Sequence, residues 1–200
     1  MRIGVDIDGC ITDVGKFQLE YGSKFYFEKY HKSIQNHKGY EISNIFQVSE
    51  ELDDEFWKKY FLEYSKNTTP RGFVSEVMKK LKEDGNELYI ITARGNYFSH
   101  SGNVLSYEEN KKVVLNWLEE NNVIYDKIIF SPEDKLQICK ENNIDLMIED
   151  KPRNVEMISQ EIPVICFHNE YNENIQGENI IRCYSWYDIY SKICSLKNFN

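Results

Sequence analysis

The chain has 200 residues, enough for one α/β domain with a sizeable core or for a core domain with a small insertion. Its net charge of -9 at pH 7 argues against a long nucleic-acid polymer as partner, because phosphate backbones are held by Lys and Arg. The five cysteines lack C-x-x-C spacing and no apolar stretch approaches membrane-spanning length, so we expect a cytoplasmic protein with reduced thiols, no signal peptide and no membrane contact.

The chain opens on an apolar strand that ends in two carboxylates. Ile3, Val5 and Ile7 alternate with small or polar residues, and Asp6 and Asp8 come where this strand should end. Alternate residues of a strand face the same side, so the two carboxylates start out pointing the same way. Two like charges held so close repel unless a cation lies between them, and a hard divalent cation such as Mg2+ fits that role. The plainer interpretation is a strand end decorated with turn-forming aspartates.

A helical insertion is predicted over residues 14–70, where no strand pattern is convincing. Aromatic residues recur at helical spacing in its first part, namely Phe17, Tyr21 and Phe25. The polar stretch 31–44 is typical of a connection between helices, and Ser49 is a candidate N-cap for a second helix. This second helix carries an apolar stripe of Leu52, Phe56, Trp57, Tyr60, Phe61 and Tyr64.

The rest of the chain alternates between strand and helix patterns. Strands are predicted at 87–91, 127–130, 145–148, 163–167 and 180–183. Helices are predicted from residue 73, around 114–118, from 131–135, around 155–158 and over 186–196. Such alternation predicts a parallel sheet with helices on both faces. We therefore expect an α/β core formed by residues 1–13 and 71–200, with residues 14–70 inserted into it.

Each polar signal of this core lies at the carboxyl end of a predicted strand. The residues concerned are Asp6, Asp8, Thr92, Ser131, Lys135, Glu149 and Asp150. Open parallel sheets bind ligands in the crevice outside those ends, so these side chains should converge although they are far apart in sequence. One hydroxyl, one ammonium and up to four carboxylates around one crevice suggest a divalent cation with a phosphate lying against it.

The order of these motifs resembles that of the haloacid dehalogenase (HAD) superfamily of phosphohydrolases. The run Asp6-Ile-Asp-Gly-Cys-Ile-Thr-Asp13 resembles the first motif of the superfamily. Two further runs are similar to those of the 5'(3')-deoxyribonucleotidase-like branch, Ile91-Thr-Ala-Arg94 and Ile148-Glu-Asp-Lys-Pro152. The resemblance covers essentially the whole chain. It implies a Rossmann-like HAD core, with its parallel sheet flanked by helices, and a small helical cap inserted after the first strand.

The resemblance also implies roles for four residues. Asp6 would attack phosphorus and form an aspartyl-phosphate, and Asp8 would donate a proton to the leaving oxygen and later take one from water. Thr92 and Lys135 would bind the phosphate and stabilise the charge on the transferring phosphoryl group. The plainer interpretations are a strand-end hydroxyl for Thr92 and a solvated lysine for Lys135, with Lys127 and Lys151 as the competing lysines.

The cofactor implied by the resemblance is Mg2+, held by Asp6, the Asp8 backbone carbonyl and an acidic residue of the last motif. Glu149 stands where many members of the superfamily have Asp, which leaves open whether Glu149 or Asp150 binds the metal directly; we favour Asp150. Cys10 stands where Thr or Val is common, at a position that contributes mainly backbone.

The implied substrate is a small phosphorylated molecule, with a nucleotide as the first hypothesis. Arg94 would either touch the substrate or lie on the surface. Phe17, Tyr21, Phe25 and Tyr26 could stack against a nucleobase, although most aromatic residues of the insertion should form its own core.

The leading hypothesis is thus a Mg2+-dependent phosphomonoesterase resembling a 5'-nucleotidase or deoxyribonucleotidase. A phosphatase of sugar phosphates or other small metabolites is the alternative within the same class. A phospho-acceptor signalling module and an inactive HAD-like binding protein are alternatives of other classes. Whether two caps pair in a homodimer is left open by the sequence.

Overall fold

The computed structural model of the protein describes residues 1–94, 105–130 and 134–197. Within them the chain forms one six-stranded sheet in the order β3-β2-β1-β4-β5-β6, and every pair of neighbouring strands is parallel. The strands are β1 (Arg2–Val5), β2 (Glu87–Thr92), β3 (Lys127–Phe130), β4 (Leu146–Glu149), β5 (Val164–Phe167) and β6 (Ile180–Cys183). The predicted parallel sheet is confirmed, and β1 lies between β2 and β4.

Helices cover both faces of this sheet, as strands that are apolar on both faces require. The helices of the core are α4 (Val74–Glu83), α5 (Tyr107–Glu120), α6 (Lys135–Glu141), α7 (Pro152–Ile158) and α8 (Trp186–Lys197). One apolar cluster joins one sheet face to α4, α5 and α8, and a second joins the other face to α6 and α7. Neighbouring strand residues separate accordingly, with Ile90 in the first cluster and Ile91 in the second.

Three helices lie between β1 and α4. They are α1 (Val14–Tyr30), α2 (Ile42–Phe46) and α3 (Glu50–Asn67). Twelve buried apolar residues of this segment form an apolar cluster of their own, here called the insertion cluster: Val14, Phe17, Phe25, Tyr26, Ile42, Ile45, Phe46, Phe56, Trp57, Tyr60, Phe61 and Tyr64. The division into a core of 1–13 and 71–200 and a cap of 14–70 stays a prediction.

The two ends of the insertion are tied to each other. Asp13 caps α1 by accepting a hydrogen bond from the Lys16 backbone N–H at 3.0 Å, and it forms an ion pair with Arg71 at 3.0 Å. The backbone N–H of Arg71 donates to the carbonyl of Ile11 at 2.7 Å. The chain therefore leaves and re-enters the core at adjacent points.

The sequence patterns give the strand boundaries to within one or two residues and locate most of the helices. The stretch 31–44 is an exception, because α2 begins inside it at Ile42, whose side chain is buried in the insertion cluster. Of the helix start predicted at 131–135, residues 131–133 lie outside the described residues, and α6 begins at Lys135. Among the helices described here, none is both long and apolar enough to cross a membrane.

Candidate active site

The candidate site lies where three adjacent strands end. In the sheet, Val5 of β1 pairs with Ile90 of β2 and with Ile148 of β4. Because these strands are parallel and in register, the residues that follow them emerge at the same edge. Asp6 is therefore next to both the Thr92 end of β2 and the Glu149 end of β4.

A buried lysine joins two of the predicted carboxylates. The Nζ atom of Lys135 donates to Oδ1 of Asp6 at 2.6 Å and to Oε2 of Glu149 at 2.7 Å, and all three side chains are buried. Burial acts to lower the pKa of Lys135, but the two carboxylates outweigh it and raise the pKa above its ordinary value. Lys135 thus stays charged and fixes the position of Asp6.

The two carboxylates respond differently to this lysine. Burial raises the pKa of Asp6 to about 7, with Glu149 and Asp8 adding to the rise and Lys135 opposing it. Burial also acts to raise the pKa of Glu149, but Lys135 and backbone N–H donors outweigh it and hold the pKa below its ordinary value. Glu149 is therefore the constant ionic partner of Lys135.

Glu149 is fully engaged by donors. Its Oε1 accepts from the backbone N–H groups of Asp150 and Lys151, both at 3.0 Å. Its Oε2 accepts from Asn154 at 3.2 Å in addition to Lys135. No carboxylate oxygen of Glu149 is left without a donor.

Asp150 is the opposite case, because it is fully buried and has no ion-pair partner within the described part of the chain. Its Oδ1 accepts from the Cys10 thiol at 3.6 Å and its Oδ2 accepts from the Tyr171 hydroxyl. Burial raises the pKa of Asp150 well above its ordinary value, and Glu149 and Asp6 add to the rise. A buried carboxylate with such neighbours is one that a cation would stabilise.

Asp6, Cys10 and Asp150 bring potential ligand atoms within 4.8 Å of one another. Gly9 makes this approach feasible, since a Cβ atom there would lie 1.9 Å from Oδ2 of Asp150. Its φ of 87° also lies in the left-handed region that favours glycine. The glycine of the first motif thus leaves room for the carboxylate opposite it.

Asp8 faces a different set of side chains. Its Oδ1 accepts from Nε of Arg94 at 2.7 Å and from the Tyr64 hydroxyl at 2.5 Å. Nη2 of Arg94 forms an ion pair with the same oxygen at 2.7 Å and donates its hydrogen bond to Oγ1 of Thr12 at 3.2 Å. The Arg94 guanidinium lies over the rings of Tyr64 and Trp117, at 4.6 and 5.6 Å from their centroids. The Nη1 atom of Arg94 has no hydrogen-bond partner among the described residues. Arg94, 3% exposed, is thus a buried member of the site and not a surface residue.

Thr92 is also fully buried at the end of β2. Its Oγ1 accepts from the backbone N–H of Arg94 at 3.2 Å, so the hydroxyl hydrogen remains available for a further acceptor. Of the predicted residues, Asp6, Asp8, Thr92, Arg94, Lys135, Glu149 and Asp150 are thus all brought to one edge of the sheet.

A cavity of about 430 Å3 is lined by five of these residues, whereas Thr92 and Asp150 are not among its lining residues. Its volume is within the usual range for small-molecule sites. Its sheet side is lined by Asp6, Asp8, Arg94, Lys135 and Glu149. Its insertion side is lined by Val14, Gln18, Tyr40, Trp57, Phe61 and Tyr64.

The four aromatic residues predicted to face a substrate are not among the described residues that line this cavity. Phe17 stacks on Tyr21 with ring centroids 4.1 Å apart, and Phe25 packs edge-on against Phe56 at 5.8 Å. They belong to or pack against the insertion cluster. The aromatic wall of the cavity comes from the stripe of α3 instead, through Trp57, Phe61 and Tyr64. Helical spacing identified both stripes but not which one faces the crevice.

Comparisons with known proteins find related nucleotidases. The model of the family described as "5' nucleotidase, deoxy (Pyrimidine), cytosolic type C protein" matches residues 1–199. A Bacillus subtilis (strain 168) protein provisionally named as a nucleotidase is 30% identical over 193 residues, which are 93% of this chain and 90% of that protein. A nucleotidase of Clostridium acetobutylicum is 27% identical over 192 residues, covering 95% and 92% of the two chains.

Solved structures share the fold at low sequence identity. A HAD-superfamily hydrolase from Ehrlichia chaffeensis is 14% identical, with a TM-score of 0.53 over 98% of this chain and 96% of that chain. A D,D-heptose 1,7-bisphosphate phosphatase from B. bronchiseptica, complexed with magnesium and phosphate, is 8% identical, with a TM-score of 0.58 over 98% of each chain.

Proposed function

The chain belongs to the family of deoxy (pyrimidine) cytosolic type C 5' nucleotidases, and on this premise we propose that it is a Mg2+-dependent phosphomonoesterase that hydrolyses nucleoside monophosphates through an aspartyl-phosphate on Asp6. The resemblance to HAD phosphohydrolases is confirmed, and the protein is a nucleotidase-like phosphatase of that superfamily. The observation that carries the proposal is the position of Asp6, between a buried lysine and a buried carboxylate without a cationic partner in the described chain.

The residues at the strand ends fit a hard divalent cation. Carboxylate oxygens of Asp6 and Asp150 lie close together, and the backbone carbonyl of Asp8 is the third protein ligand that the superfamily motif implies. The Cys10 thiol is a poor ligand for Mg2+ and donates to Asp150 instead. Glu149 is occupied by Lys135, which supports Asp150 as the direct ligand. When bound, Mg2+ supplies positive charge against the phosphoryl oxygens.

The reaction begins with the Asp6 carboxylate. One of its oxygens attacks phosphorus. A bond forms between this oxygen and phosphorus, and the bond from phosphorus to the leaving oxygen breaks. Lys135 holds Asp6 in place and stabilises the negative charge of the transferring group, with the Thr92 hydroxyl as a second donor. Water then attacks the phosphorus of the aspartyl-phosphate, which releases phosphate and restores Asp6.

Asp8 acts as the general acid in the first step and as the general base in the second. It gives a proton to the leaving oxygen of the ester and later removes one from the attacking water. Arg94 and Tyr64 contact only Oδ1, and Oδ2 accepts no hydrogen bond from the described residues. We assign the proton transfer to Oδ2, and Arg94 and Tyr64 act by orienting the carboxylate.

The leaving group would occupy the insertion side of the cavity. Trp57, Phe61 and Tyr64 offer flat apolar surfaces there, which suits a nucleobase better than a sugar alone. A cytoplasmic location and a homodimer stay predictions.

The proposal is tested by phosphate release from nucleoside monophosphates and sugar phosphates with Mg2+. We expect turnover of nucleotides that is abolished by EDTA and by Asp6→Asn. The exposed Asp54 of α3 serves as a matched control, since Asp54→Asn makes the same chemical change away from the cavity. Turnover that survives Asp6→Asn would refute the proposed mechanism, and release from sugar phosphates alone would replace the nucleotide by the sugar-phosphate alternative.

A further inference from the structure

Gln18 is a polar residue on the buried face of α1. Its side chain lies among apolar residues of the same face, such as Val14 and Phe25, and Gln18 itself is 3% exposed. Helical spacing alone would assign this position to the apolar core. An amide at such a place needs a hydrogen-bond partner.

Within the described residues the Oε1 atom of Gln18 has no hydrogen-bond partner, although it is buried. A buried acceptor without a donor destabilises the fold relative to an apolar side chain of similar shape. Such a group is retained at a cost in stability, which points to a ligand that supplies the missing donor.

Gln18 lines the same cavity as Asp6 and Asp8. It does so from the insertion side, together with the aromatic residues Trp57 and Phe61. The phosphate end of a substrate is bound at the carboxylates, so Gln18 is available to the leaving group. A ligand that stacks on these aromatic residues and hydrogen-bonds to Gln18 has flat faces and an N–H donor on its edge.

We infer that Gln18 recognises the nucleobase of the substrate, with Oε1 accepting a hydrogen bond from an N–H group on the base edge. This inference rests on the proposed phosphatase function and deepens it, because it makes the base a determinant of specificity. A sugar phosphate without a base would leave the Gln18 amide unpaired. Sites that hydrogen-bond a substrate group discriminate strongly against analogues that lack it.

The test compares Gln18→Met with the wild-type protein on nucleoside 5'-monophosphates and on ribose 5-phosphate. Met preserves the length and the unbranched shape of Gln but removes the amide. We expect the preference for nucleotides over ribose 5-phosphate, measured as the ratio of kcat/KM values, to fall by roughly tenfold or more. The ligand-free variant should also unfold at a higher temperature than the wild type, because a buried unpaired acceptor has been removed.

Ser65→Ala is the matched control. Ser65 of α3 is also fully buried with an unpartnered oxygen among the described residues, but it is not among the residues that line the cavity. The substitution should leave the nucleotide preference as it is in the wild type.

The outcomes separate the two proposals. An equal loss of kcat/KM on both substrates in Gln18→Met, or no loss on either, overturns recognition of the base by Gln18. The proposed phosphatase function is unaffected by that result. A wild-type protein that hydrolyses none of these esters with Mg2+ overturns the proposed function and, with it, the inference that Gln18 recognises the base. Equilibrium binding of the nucleotides to Asp6→Asn provides a second measurement, in which adding Gln18→Met should weaken nucleotide binding more than ribose 5-phosphate binding.

Discussion

Arg94 and Asp8 meet at a single carboxylate oxygen, with Nε and Nη2 of the guanidinium each 2.7 Å from Oδ1. Tyr64, from the insertion, donates to the same oxygen at 2.5 Å. Asp8 lines the cavity, and its other oxygen accepts no hydrogen bond from the described residues. A carboxylate anchored in this way keeps one orientation and one free oxygen, as a general acid and base requires.

Removal of one anchor should therefore affect proton transfer more than phosphoryl transfer. In Tyr64→Phe we expect kcat for a nucleotide to fall by roughly tenfold or more, because its leaving alkoxide needs the proton from Asp8. The loss on p-nitrophenyl phosphate should be smaller, since its leaving group departs as a stable phenolate. Steady-state kinetics on both esters measure the difference.

The control for this prediction is Tyr60→Phe, which removes a hydroxyl from the same helix at a position that does not line the cavity. An equal loss on both esters in Tyr64→Phe would mean that Tyr64 has only a structural role.

Replacement of Lys135 should reduce both turnover and stability. In Lys135→Met, Asp6 and Glu149 lose the ammonium that lies 2.6 and 2.7 Å from them, and the phosphoryl group loses a donor. We expect kcat to fall by roughly a hundredfold or more and the free energy of unfolding to fall by about 3 kcal/mol. Lys127→Met is the control, because Lys127 is exposed and its ammonium donates to Asn142, away from the site carboxylates. Equal activity of the two variants would exclude Lys135 from the site.

The stability lost in Lys135→Met should also depend on pH. The pKa of Glu149 is lowered in the folded protein, where Lys135 outweighs the effect of burial. A lowered pKa stabilises the fold above the pKa of the unfolded chain, and this stabilisation disappears as the pH falls through the folded value. The difference in unfolding free energy between wild type and variant should therefore be larger at about pH 8 than at about pH 4. Chemical denaturation at the two pH values checks this sign, and a difference that grows on acidification would contradict it.

Replacement of the two acidic residues at the end of β4 should change the affinity for Mg2+ to different extents. Asp150→Asn removes a carboxylate without an ion-pair partner among the described residues, so calorimetric affinity for Mg2+ should fall by roughly a hundredfold or more. Glu149→Gln removes the partner of Lys135, so turnover should fall while the affinity changes by about tenfold or less. A reversed order of affinities would make Glu149 the direct ligand.

Replacement of Gly9 by alanine, which adds only a methyl group, should already damage the protein. In Gly9→Ala the added Cβ would meet Oδ2 of Asp150 at 1.9 Å and the Tyr171 hydroxyl at 2.6 Å, in a backbone conformation with φ of 87°. We expect a loss of stability of more than about 1 kcal/mol together with a loss of Mg2+ affinity.

Gly85→Ala is matched to this variant, because Gly85 has a similar φ of 79° but no atom of the described residues within 4 Å of the added Cβ. It should show the conformational penalty alone and bind Mg2+ as the wild type does. Equal behaviour of the two variants would mean that the contact with Asp150 is of no consequence.

Much of the fold follows from local patterns in the sequence. Apolar runs of four to six residues gave the strands, and the spacing of Val77, Met78 and Leu81 gave a helix, because period and burial are local properties of the chain. The short helix at Ile42–Phe46 was missed, since five residues are too few for a periodic signal. The motifs at Asp6 and Glu149 were found by their position at strand ends, which the parallel sheet brings to one edge.

The sequence by itself determined the residue types of the site and their convergence, because these depend on strand order and on the chemistry of each side chain. Only the tertiary structure decided how they pair: Glu149 faces Lys135, whereas its neighbour Asp150 faces Cys10 and Tyr171. Periodicity along a helix likewise tells which residues are buried but not what covers them. The crevice is consequently lined by Trp57 and Gln18, whereas Phe17, with the same helical signal, packs inside the insertion.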